Sequence, residues 1–468
     1  MTPFARKLPP ADERHQLRPC LSAFDLTFIG VGNMIGTGIF VLTGIAAATQ
    51  AGPGLIISFV FAAIACGFVG FAYAELAASI GGCGAAYGYA YAAFGELPAW
   101  IAGWNLVFCF GSALAAVANG WSGYFASALQ ALGMPLPPAI ASGPATGGIM
   151  DLPAVAVILL LMLALLAGVK QSARLNRFIV MAKLAALGVF LAVAAFHLQT
   201  ALWHPFLPYG WFMQKPDGST AGVLAAASVV FFAYRGFQTV SFAVEEARRP
   251  QRDIPLAVLG SLAICTLIYF LVAGALTGIA PYRALNVPSP IAFALFRLGY
   301  NWGSALVAAG VIVGLTSTML MIYYALTRII FAVARDGLLP QFFSVLQPRS
   351  QTPVNAIIIC GVIMAALAGV APLTATAKLV NAGTLTEFVL VCAGVIVLRR
   401  RTDIVRPFRT PGGIVIPLLG IASCTALLNF LPAVTLATYA VWLALGFALY
   451  FVYAARRSAR GALGENPL

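Results

Sequence analysis

The feature that most restricts the fold is a series of long apolar segments that recurs along almost the whole chain. A helix needs about 20 mostly apolar residues to cross a bilayer, and the sequence offers roughly twelve such segments. Only 9% of the residues are charged and 61% are hydrophobic, so the chain is too apolar to cover a soluble surface. We therefore predict an all-α polytopic membrane protein, with spans at 24–49, 54–79, 98–129, 152–169, 175–197, 219–244, 255–279, 302–333, 353–371, 378–398, 411–431 and 434–454.

The net charge of +13 is distributed unevenly between the two sides of these predicted spans. With the N-terminus in the cytoplasm, the basic clusters fall on the inner side, including Arg248–Arg249 and Arg399–Arg401. The outer loops then carry Lys215, Arg283, Arg297 and Lys378. Cytoplasmic loops of membrane proteins hold the excess of Lys and Arg. The pattern predicts the lipid bilayer rather than nucleic acid as partner, in the cell's inner (plasma) membrane, with both termini cytoplasmic.

Four glycines lie in the middle of the first predicted span, at Gly30, Gly32, Gly36 and Gly38. Glycine in a helix interior costs about 0.5 to 1 kcal/mol relative to alanine, so this cluster favours a break in the helix. Backbone groups freed by a break are tolerated in a membrane where they are buried in protein or face water or a ligand. The alternative is a packing face, since Gly-x-x-x-Gly spacings also let helices approach closely.

A second interruption five spans later favours the broken-helix interpretation. Around Phe231–Gln238 an apolar helix meets an arginine, a glycine and a glutamine at mid-membrane depth. Paired interruptions in two halves of a transporter indicate its substrate site, as in the LeuT-type inverted repeat. We predict a LeuT-like arrangement of five plus five helices followed by two more, with helices 1 and 6 broken. The domains are a cytoplasmic segment 1–23, repeats 24–200 and 201–400, the last two spans 401–455, and a cytoplasmic tail 456–468.

Residues of the types used in catalysis or metal binding do not form a recognisable pattern. The eight cysteines are scattered, and buried cysteine commonly behaves as a small hydrophobe. Two of the three histidines, His197 and His204, fall near the outer end of the fifth span, without a Ser-His-Asp set or paired carboxylates. We predict neither an enzyme nor a metal site, and no cofactor.

The motifs together resemble a known family, the amino acid, polyamine and organocation transporter superfamily, and look closest to bacterial members of its cationic amino acid transporter branch. The resemblance covers nearly the whole chain and rests on several short runs. These are Gly30–Phe40, Tyr73–Glu75, Gly84–Tyr89, Phe94–Glu96, Phe231–Tyr234, Glu245–Pro255 and Arg335–Pro340.

The resemblance implies a binding site for one amino acid between the two broken helices. Free amides at a helix N-terminus favour an anion and free carbonyls at a C-terminus favour a cation, which suits a zwitterion. The substrate carboxylate is expected at the amides of Gly36, Thr37 and Gly38. The amino group is expected at the carbonyls of Met34, Phe232, Ala233 and Arg235. The substrate-binding residues are expected to be Asn33, Met34, Ile35, Gly36, Thr37, Gly38, Phe232, Ala233, Tyr234, Arg235 and Gly236.

Lys183 in the fifth span is the candidate for energy coupling. A charged group at this depth is costly and usually marks an ion or substrate pathway, although a lysine can also extend its stem to the interface. In the resembled family a fifth-span lysine occupies the place where sodium-coupled relatives hold a sodium ion. Burial favours the neutral amine and carbonyl oxygens favour the ammonium. We predict proton coupling through Lys183, with Thr316, Ser317 and Thr318 as neighbours, driven by the transmembrane proton gradient.

Arg235 and Gln238 depart from the family pattern, which commonly has an apolar and an acidic residue at these places. Arg235 in the pocket disfavours a cationic substrate and favours an additional carboxylate. The alternative is that Arg235 faces the inner vestibule, where it pairs with an acidic gate residue. Asn33 is a third departure, either ligating substrate or tying down loose backbone.

Three acidic residues near the inner side receive weaker interpretations. Glu75 is expected to be solvated at the membrane interface. Glu245 and Glu246 are close in sequence to Arg248, and Glu245 with Arg248 forms a candidate inner ionic gate.

The function expected from these features is secondary active amino acid transport by alternating access, coupled to protons and independent of sodium. An amino acid exchanger of the same fold, or a non-transporting amino acid sensor, remains the alternative. A channel needs a continuous polar pore or a ring of ligands, which the few buried charges do not provide.

Overall fold

A computed structural model describes residues 21–80, 85–168, 173–215, 220–335, 337–347, 352–401 and 404–454. The predicted cytoplasmic segment 1–23 therefore lies outside the described residues except for its last three, and the tail 456–468 lies wholly outside them. The described chain is mostly helical. Its α-helices are α1 (Ala23–Met34), α2 (Thr43–Ala46), α3 (Leu55–Ile80), α4 (Ala85–Phe94), α5 (Glu96–Ala131), α6 (Pro138–Ala141), α7 (Leu152–Leu166), α8 (Ala173–Ala195), α9 (Val223–Val230), α10 (Pro250–Ile279), α11 (Pro290–Arg297), α12 (Asn301–Arg335), α13 (Val354–Val370), α14 (Leu373–Leu398), α15 (Val415–Asn429) and α16 (Ala433–Leu449).

Tighter and wider helical turns join these α-helices. The π-helical turns are Gly38–Leu42, Ala47–Ala51 and Tyr450–Ala454. The 3-10 turns are Gly52–Gly54, Pro144–Thr146, Thr200–Trp203, Phe231–Tyr234, Phe237–Glu246, Tyr282–Leu285 and Gln341–Ser344. A short antiparallel hairpin pairs β1 (Met213–Gln214) with β2 (Thr220–Ala221).

Eight helical stretches of the described chain are long and apolar enough to cross a membrane. They are Gly38–Ile80, Glu96–Ala131, Asn176–Ala195, Val223–Ser241, Pro250–Ile279, Asn301–Arg335, Leu373–Leu398 and Ala433–Tyr453. Three shorter apolar helices, α7, α13 and α15, coincide with further predicted spans. The structure thus confirms a helical protein of several membrane-spanning segments, while the count of twelve stays a prediction.

The helices pack around α5, which contacts α12, α14 and α13. Large apolar side chains on the outside of the bundle are exposed, such as Leu160, Phe178 and Leu267. A soluble protein rarely leaves so many large apolar side chains uncovered, whereas lipid solvates them. The exterior is therefore suited to a bilayer.

The first helix break follows a well-defined start and stop of α1. Ser22 caps the helix reciprocally, because its Oγ accepts from the amide of Asp25 (3.3 Å) and the Asp25 carboxylate accepts from the amide of Ser22 (3.2 Å). The helix ends at Met34, since Ile35 has an extended backbone (φ −76°, ψ 95°). Helical structure resumes in the π-turn from Gly38.

The second break has its own geometry. After α9 the chain tightens into the 3-10 turn Phe231–Tyr234, and Arg235 is then extended (φ −65°, ψ 116°). Gly236 follows with φ +149°, a conformation that side chains with a Cβ rarely adopt. Helical turns resume at Phe237. Both interruptions predicted from the sequence are present.

The two breaks lie against each other in the interior. A Cβ added to Gly38 would overlap the backbone of Ala233. One added to Gly236 would lie 2.8 Å from both the carbonyl carbon of Asn33 and the amide nitrogen of Met34. Glycine at these two positions therefore lets the broken segments approach backbone to backbone, which brings the free groups of both breaks to one place.

Candidate functional site

A cavity of about 50 Å³ lies where the two breaks meet. Its walls come from α1, the sixth-span break, α5 and α12. A water needs about 10 to 15 Å³ of such volume, so the cavity has room for a few waters in this conformation. The lining residues are Asn33, Met34, Gly38, Phe110, Ala113, Val117, Phe232, Arg235, Gly236, Gln238, Thr239, Thr318 and Ile322.

The structure brings only part of the predicted substrate set to this cavity. Asn33, Met34, Gly38, Phe232, Arg235 and Gly236 line it. Tyr234 points elsewhere, because its hydroxyl donates to the carbonyl of Phe59 (3.0 Å) and its ring packs on Tyr269. Ile35 is fully buried outside the lining, and Gly36, Thr37 and Ala233 contribute no lining side chain.

The backbone of Gly36 to Gly38 begins the second half of the first span. The carbonyl of Gly36 accepts from the amides of Ile39 (3.2 Å) and Phe40 (3.1 Å), which are the first bonds of that half. The amides of Gly36, Thr37 and Gly38 precede those bonds, at the positive end of the helix. A Cβ at Gly36 would meet no atom within 4 Å, so there is open space beside them. This arrangement suits an anionic group.

Two of the four carbonyls predicted to hold an amino group meet at a tyrosine that was not predicted from the sequence. The hydroxyl of Tyr269, on α10, lies 2.6 Å from the carbonyl oxygen of Met34 and 2.8 Å from that of Ala233. One hydroxyl proton serves only one acceptor at a time, and each carbonyl has two lone pairs. The two carbonyls therefore keep capacity to accept from a cation.

Asn33 connects the breaks through side chains. Its amide nitrogen donates to the hydroxyl of Thr239 (2.9 Å), and that hydroxyl donates to the carbonyl of Gly236 (2.5 Å). Asn33 thus ties down the sixth-span backbone, and it also lines the cavity. The two roles considered from the sequence are compatible in one residue.

Lys183 is buried, with 2% of its surface exposed, and its amine reaches the first break. Nζ donates to the carbonyl of Gly32 (3.0 Å) and to the hydroxyl of Thr318 (2.8 Å). Gly314 makes room for the stem, because a Cβ there would lie 2.6 Å from Cε of Lys183. The side chain therefore lies in the interior, and not along the alternative course to the membrane interface that its long stem would allow.

Of the three predicted neighbours, Thr318 is the one that bonds the amine. The hydroxyl of Thr316 accepts from the indole of Trp121 (2.9 Å) and donates to the carbonyl of Ile312 (2.8 Å), so it is engaged away from the lysine. Ser317 is buried next to Thr318 in α12. The helix turns by about 100° per residue, which explains why Thr316 and Thr318, two residues apart, have different partners.

The guanidinium of Arg235 lies over the ring of Phe110, with Cζ 4.4 Å from the ring centroid. Its Nε and Nη2 are buried and have no hydrogen-bond partner in the described part of the chain. Gln238 is buried as well, and its Oε1 accepts from the amide of Gly236 (3.2 Å). Arg235 therefore lines the cavity rather than an inner vestibule.

Glu75 corrects an expectation from the sequence. It is 2% exposed and not solvated, because Arg399 binds both of its carboxylate oxygens (Nε to Oε1 2.9 Å, Nη2 to Oε2 2.6 Å). The amide of Thr410 donates to the same carboxylate (2.8 Å). The charge of Glu75 is compensated by a partner 324 residues away along the chain, which its sequence position does not reveal.

The candidate inner gate is described only in part. The side chain of Glu245 lies outside what the structure describes. Arg248 is exposed, and its amide donates to the carbonyl of Leu21 (2.9 Å), while the amide of Leu21 donates to the carbonyl of Glu246 (2.9 Å). The start of the first span is thereby joined to the end of the sixth by backbone bonds.

A buried carboxylic acid, Glu387, was also missed. It lies on α14, is 3% exposed, and accepts a short hydrogen bond from the hydroxyl of Tyr73 (2.5 Å). Its Oε2 has no partner among the residues that the structure describes. An acidic residue in the middle of an apolar span is the signal that would have found it.

Comparison with known proteins decides the family. The sequence pattern of amino acid permeases matches residues 21–454. The chain belongs to the amino acid permease family. It is 42% identical over 444 residues to the branched-chain amino acid permease BcaP of Bacillus subtilis, covering 94% of this chain and 93% of that protein.

Other relatives carry different names. The methylthioribose transporter of B. subtilis is 41% identical over 441 residues, covering 94% of both chains. The vacuolar cationic amino acid transporter 4 of Arabidopsis thaliana is 37% identical over 390 residues, covering 83% of this chain and 64% of that one. The relatives are permeases and transporters, so the predicted family, the membrane location and the exclusion of an enzyme are confirmed.

Proposed function

We propose that this chain is a secondary active amino acid transporter that works by alternating access. The observation that carries the proposal is the meeting of two broken helices around one small cavity. A site that both broken helices border can be opened to one side and then to the other. A channel, in contrast, needs a path that is open to both sides at once.

The proposed architecture is the full arrangement predicted from the sequence. It has twelve membrane helices, with the LeuT-like inverted repeats 24–200 and 201–400 followed by two helices in 401–455. The protein resides in the plasma membrane with both termini in the cytoplasm. The described helices that fall on the predicted spans, and the breaks in the first and sixth of them, support this assignment.

One amino acid zwitterion fits the free groups of the two breaks. Its carboxylate is received by the amides of Gly36, Thr37 and Gly38 at the start of a helix. Its ammonium is received by the carbonyls of Met34 and Ala233, in exchange for the hydroxyl of Tyr269. The cavity of about 50 Å³ must widen for this, which an outward or inward opening of the breaks provides.

Lys183 is the proposed proton carrier. Among the residues that the structure describes, its ammonium has one backbone carbonyl and one hydroxyl as partners and no carboxylate, inside a buried site. Because the carbonyl belongs to Gly32, movement of the first span changes the environment that holds the proton. The Lys183 ammonium takes the place of a sodium ion, so transport does not need sodium. The proton gradient is then the energy source, and no cofactor takes part.

Purified protein in proteoliposomes tests this function. Uptake of radiolabelled amino acids is measured with an imposed inward proton gradient, in sodium-free buffer, against vesicles without protein and vesicles with a dissipated gradient. We expect saturable accumulation above the outside concentration that requires the gradient. Uptake that occurs only when the vesicles are preloaded with amino acid would instead establish an exchanger. Binding without flux in either format would leave a sensor.

A further inference from the structure

Two oppositely charged buried side chains, Arg235 at the cavity and Glu387 on α14, are each only partly satisfied. Arg235 has two buried guanidinium nitrogens, Nε and Nη2, and Glu387 has one buried carboxylate oxygen, Oε2, that lack hydrogen-bond partners within the described chain. The two groups come from the sixth-span break and from α14. No direct ion pair joins them in the described structure.

Two further side chains place Arg235 and Glu387 in one cluster. Cys109 of α5 lies against α14 one turn before Glu387, because a Cβ added to Gly383 would overlap its Sγ. Tyr73 of α3 donates its hydroxyl proton to Glu387, and its ring packs on that of Phe237, two residues after Arg235, with the ring centroids 5.7 Å apart. The ring of Phe110, next to Cys109 in α5, supports the guanidinium from the cavity side.

The unused atoms of Arg235 are those with which an arginine binds a carboxylate side-on. Arg399 uses the same pair, Nε and Nη2, to hold both oxygens of Glu75. This bidentate geometry is the strong form of the interaction. In the Arg235 and Glu387 cluster the same complementary groups are near one another but not in contact, which leaves part of the arginine charge available to the cavity.

We propose that Glu387 is the counter-charge of Arg235, and that this pair makes the site selective for amino acids with uncharged side chains. This inference rests on the proposed function. A lysine or arginine substrate would bring its cation against Arg235. An acidic substrate would compete with Glu387 for the same guanidinium. A neutral side chain leaves the pair undisturbed.

The test is a binding panel on purified full-length protein, with leucine, glutamate and lysine as ligands. The variants are Arg235→Gln, Glu387→Gln, the double variant, and Arg283→Gln as a matched loss of one positive charge on an exposed outer turn. We expect the unmodified protein and Arg283→Gln to bind leucine in preference to both charged ligands.

The single variants are expected to shift the preference in opposite directions. Glu387→Gln uncovers the arginine, so binding of glutamate relative to leucine rises at least about tenfold. Arg235→Gln uncovers the carboxylate, so binding of lysine relative to leucine rises by a similar factor. The double variant removes both charges and returns to the preference for leucine. A purely structural pair would change stability without this pattern.

Several outcomes contradict the inference. They are unmodified protein that prefers glutamate or lysine, single variants with unchanged ligand ranking, and a double variant that fails to restore the preference for leucine. The melting temperature without ligand shows which variants are folded. If Glu387→Gln does not fold, the order in which the unmodified protein and Arg235→Gln bind leucine, glutamate and lysine decides whether the inference holds. If the protein binds amino acids but the variants leave the order of ligand preference unchanged, only this inference is wrong. If the unmodified protein neither binds nor transports any amino acid, the proposed function is wrong as well.

Discussion

The two helix breaks are each accompanied by a buried cation, and the two cations are held differently. Lys183 donates to Gly32 of the first span and to Thr318 of α12. Arg235 belongs to the second break itself, lies over Phe110, and keeps two buried nitrogens without a partner in the described structure. The first cation is satisfied by neutral oxygens, and the second stands near a carboxylate.

This difference assigns the two breaks different tasks. A lysine amine can release its proton when its surroundings change, whereas an arginine stays charged in proteins. The cation at the first break is therefore suited to carrying a proton through the cycle. The cation at the second break is suited to a fixed field that selects substrates. The following variants separate these tasks, from the largest expected effect to the smallest.

Loss of the first cation should have the largest effect. Lys183→Ala removes the proposed proton carrier and leaves the carbonyl of Gly32 and the hydroxyl of Thr318 without this donor. We expect accumulation driven by a proton gradient to fall to the level of empty vesicles. Lys378→Ala, which removes a lysine far from both breaks in sequence and outside the cavity lining, is the control. Gradient-driven accumulation by Lys183→Ala protein would contradict the coupling role.

Closing the gap between the breaks should come next. Gly236→Ala forces a Cβ onto a backbone at φ +149° and within 2.8 Å of Asn33 and Met34. Strain of this kind costs about 1 to 3 kcal/mol, and the contact with backbone adds to it. We expect a lower melting temperature and loss of substrate binding. Gly36→Ala, where a Cβ meets nothing within 4 Å, should keep the melting temperature; an equal loss there would refute the close approach of the breaks.

Displacing Lys183 without removing it is a gentler perturbation. Gly314→Ala places a Cβ 2.6 Å from Cε of the lysine, so the stem must shift and the bond to Thr318 weakens. We expect substrate to bind while gradient-driven uptake decreases. Gly188→Ala, at an exposed position of α8 where a Cβ has open space, serves as control. Uptake that is unchanged in Gly314→Ala would show that the lysine position is not critical.

Removal of one hydroxyl should have the smallest effect. Tyr269→Phe deletes the donor shared by the carbonyls of Met34 and Ala233 but keeps the ring. A hydrogen bond contributes a net of about 0.5 to 1.5 kcal/mol, so the dissociation constant for substrate should change by up to about tenfold. Binding titrations of the purified variant measure it. A loss of fold would mean that the hydroxyl holds the breaks together instead.

The sequence predicted those parts of the site that depend on local backbone chemistry. The glycine cluster and Arg235–Gly236 indicated both breaks, because glycine and an isolated charge are costly inside an apolar helix. Lys183 was found for the same reason, and Thr318 was one of its three predicted neighbours. The family resemblance placed these features in one membrane protein family, which the relatives confirm.

Contacts between distant spans could not be predicted in this way. Glu75 was expected to be solvated because its partner Arg399 is far away in sequence. Tyr269 was missed because a tyrosine in an apolar helix gives no direction for its side chain. Glu387 was detectable as an acid inside an apolar span, but its partner Tyr73 was not. Thr316 lies two residues before Thr318, but the turn of the helix places its hydroxyl against the indole of Trp121. The rotation of each helix decides these partners.

The position of a bound amino acid tests the central claim most directly. A structure of the full-length protein with a substrate identified in the binding panel would locate it. We predict the substrate carboxylate at the amides of Gly36 to Gly38, and its ammonium at the carbonyls of Met34 and Ala233. An amino acid bound elsewhere, with the two breaks unchanged and unoccupied, would contradict the account.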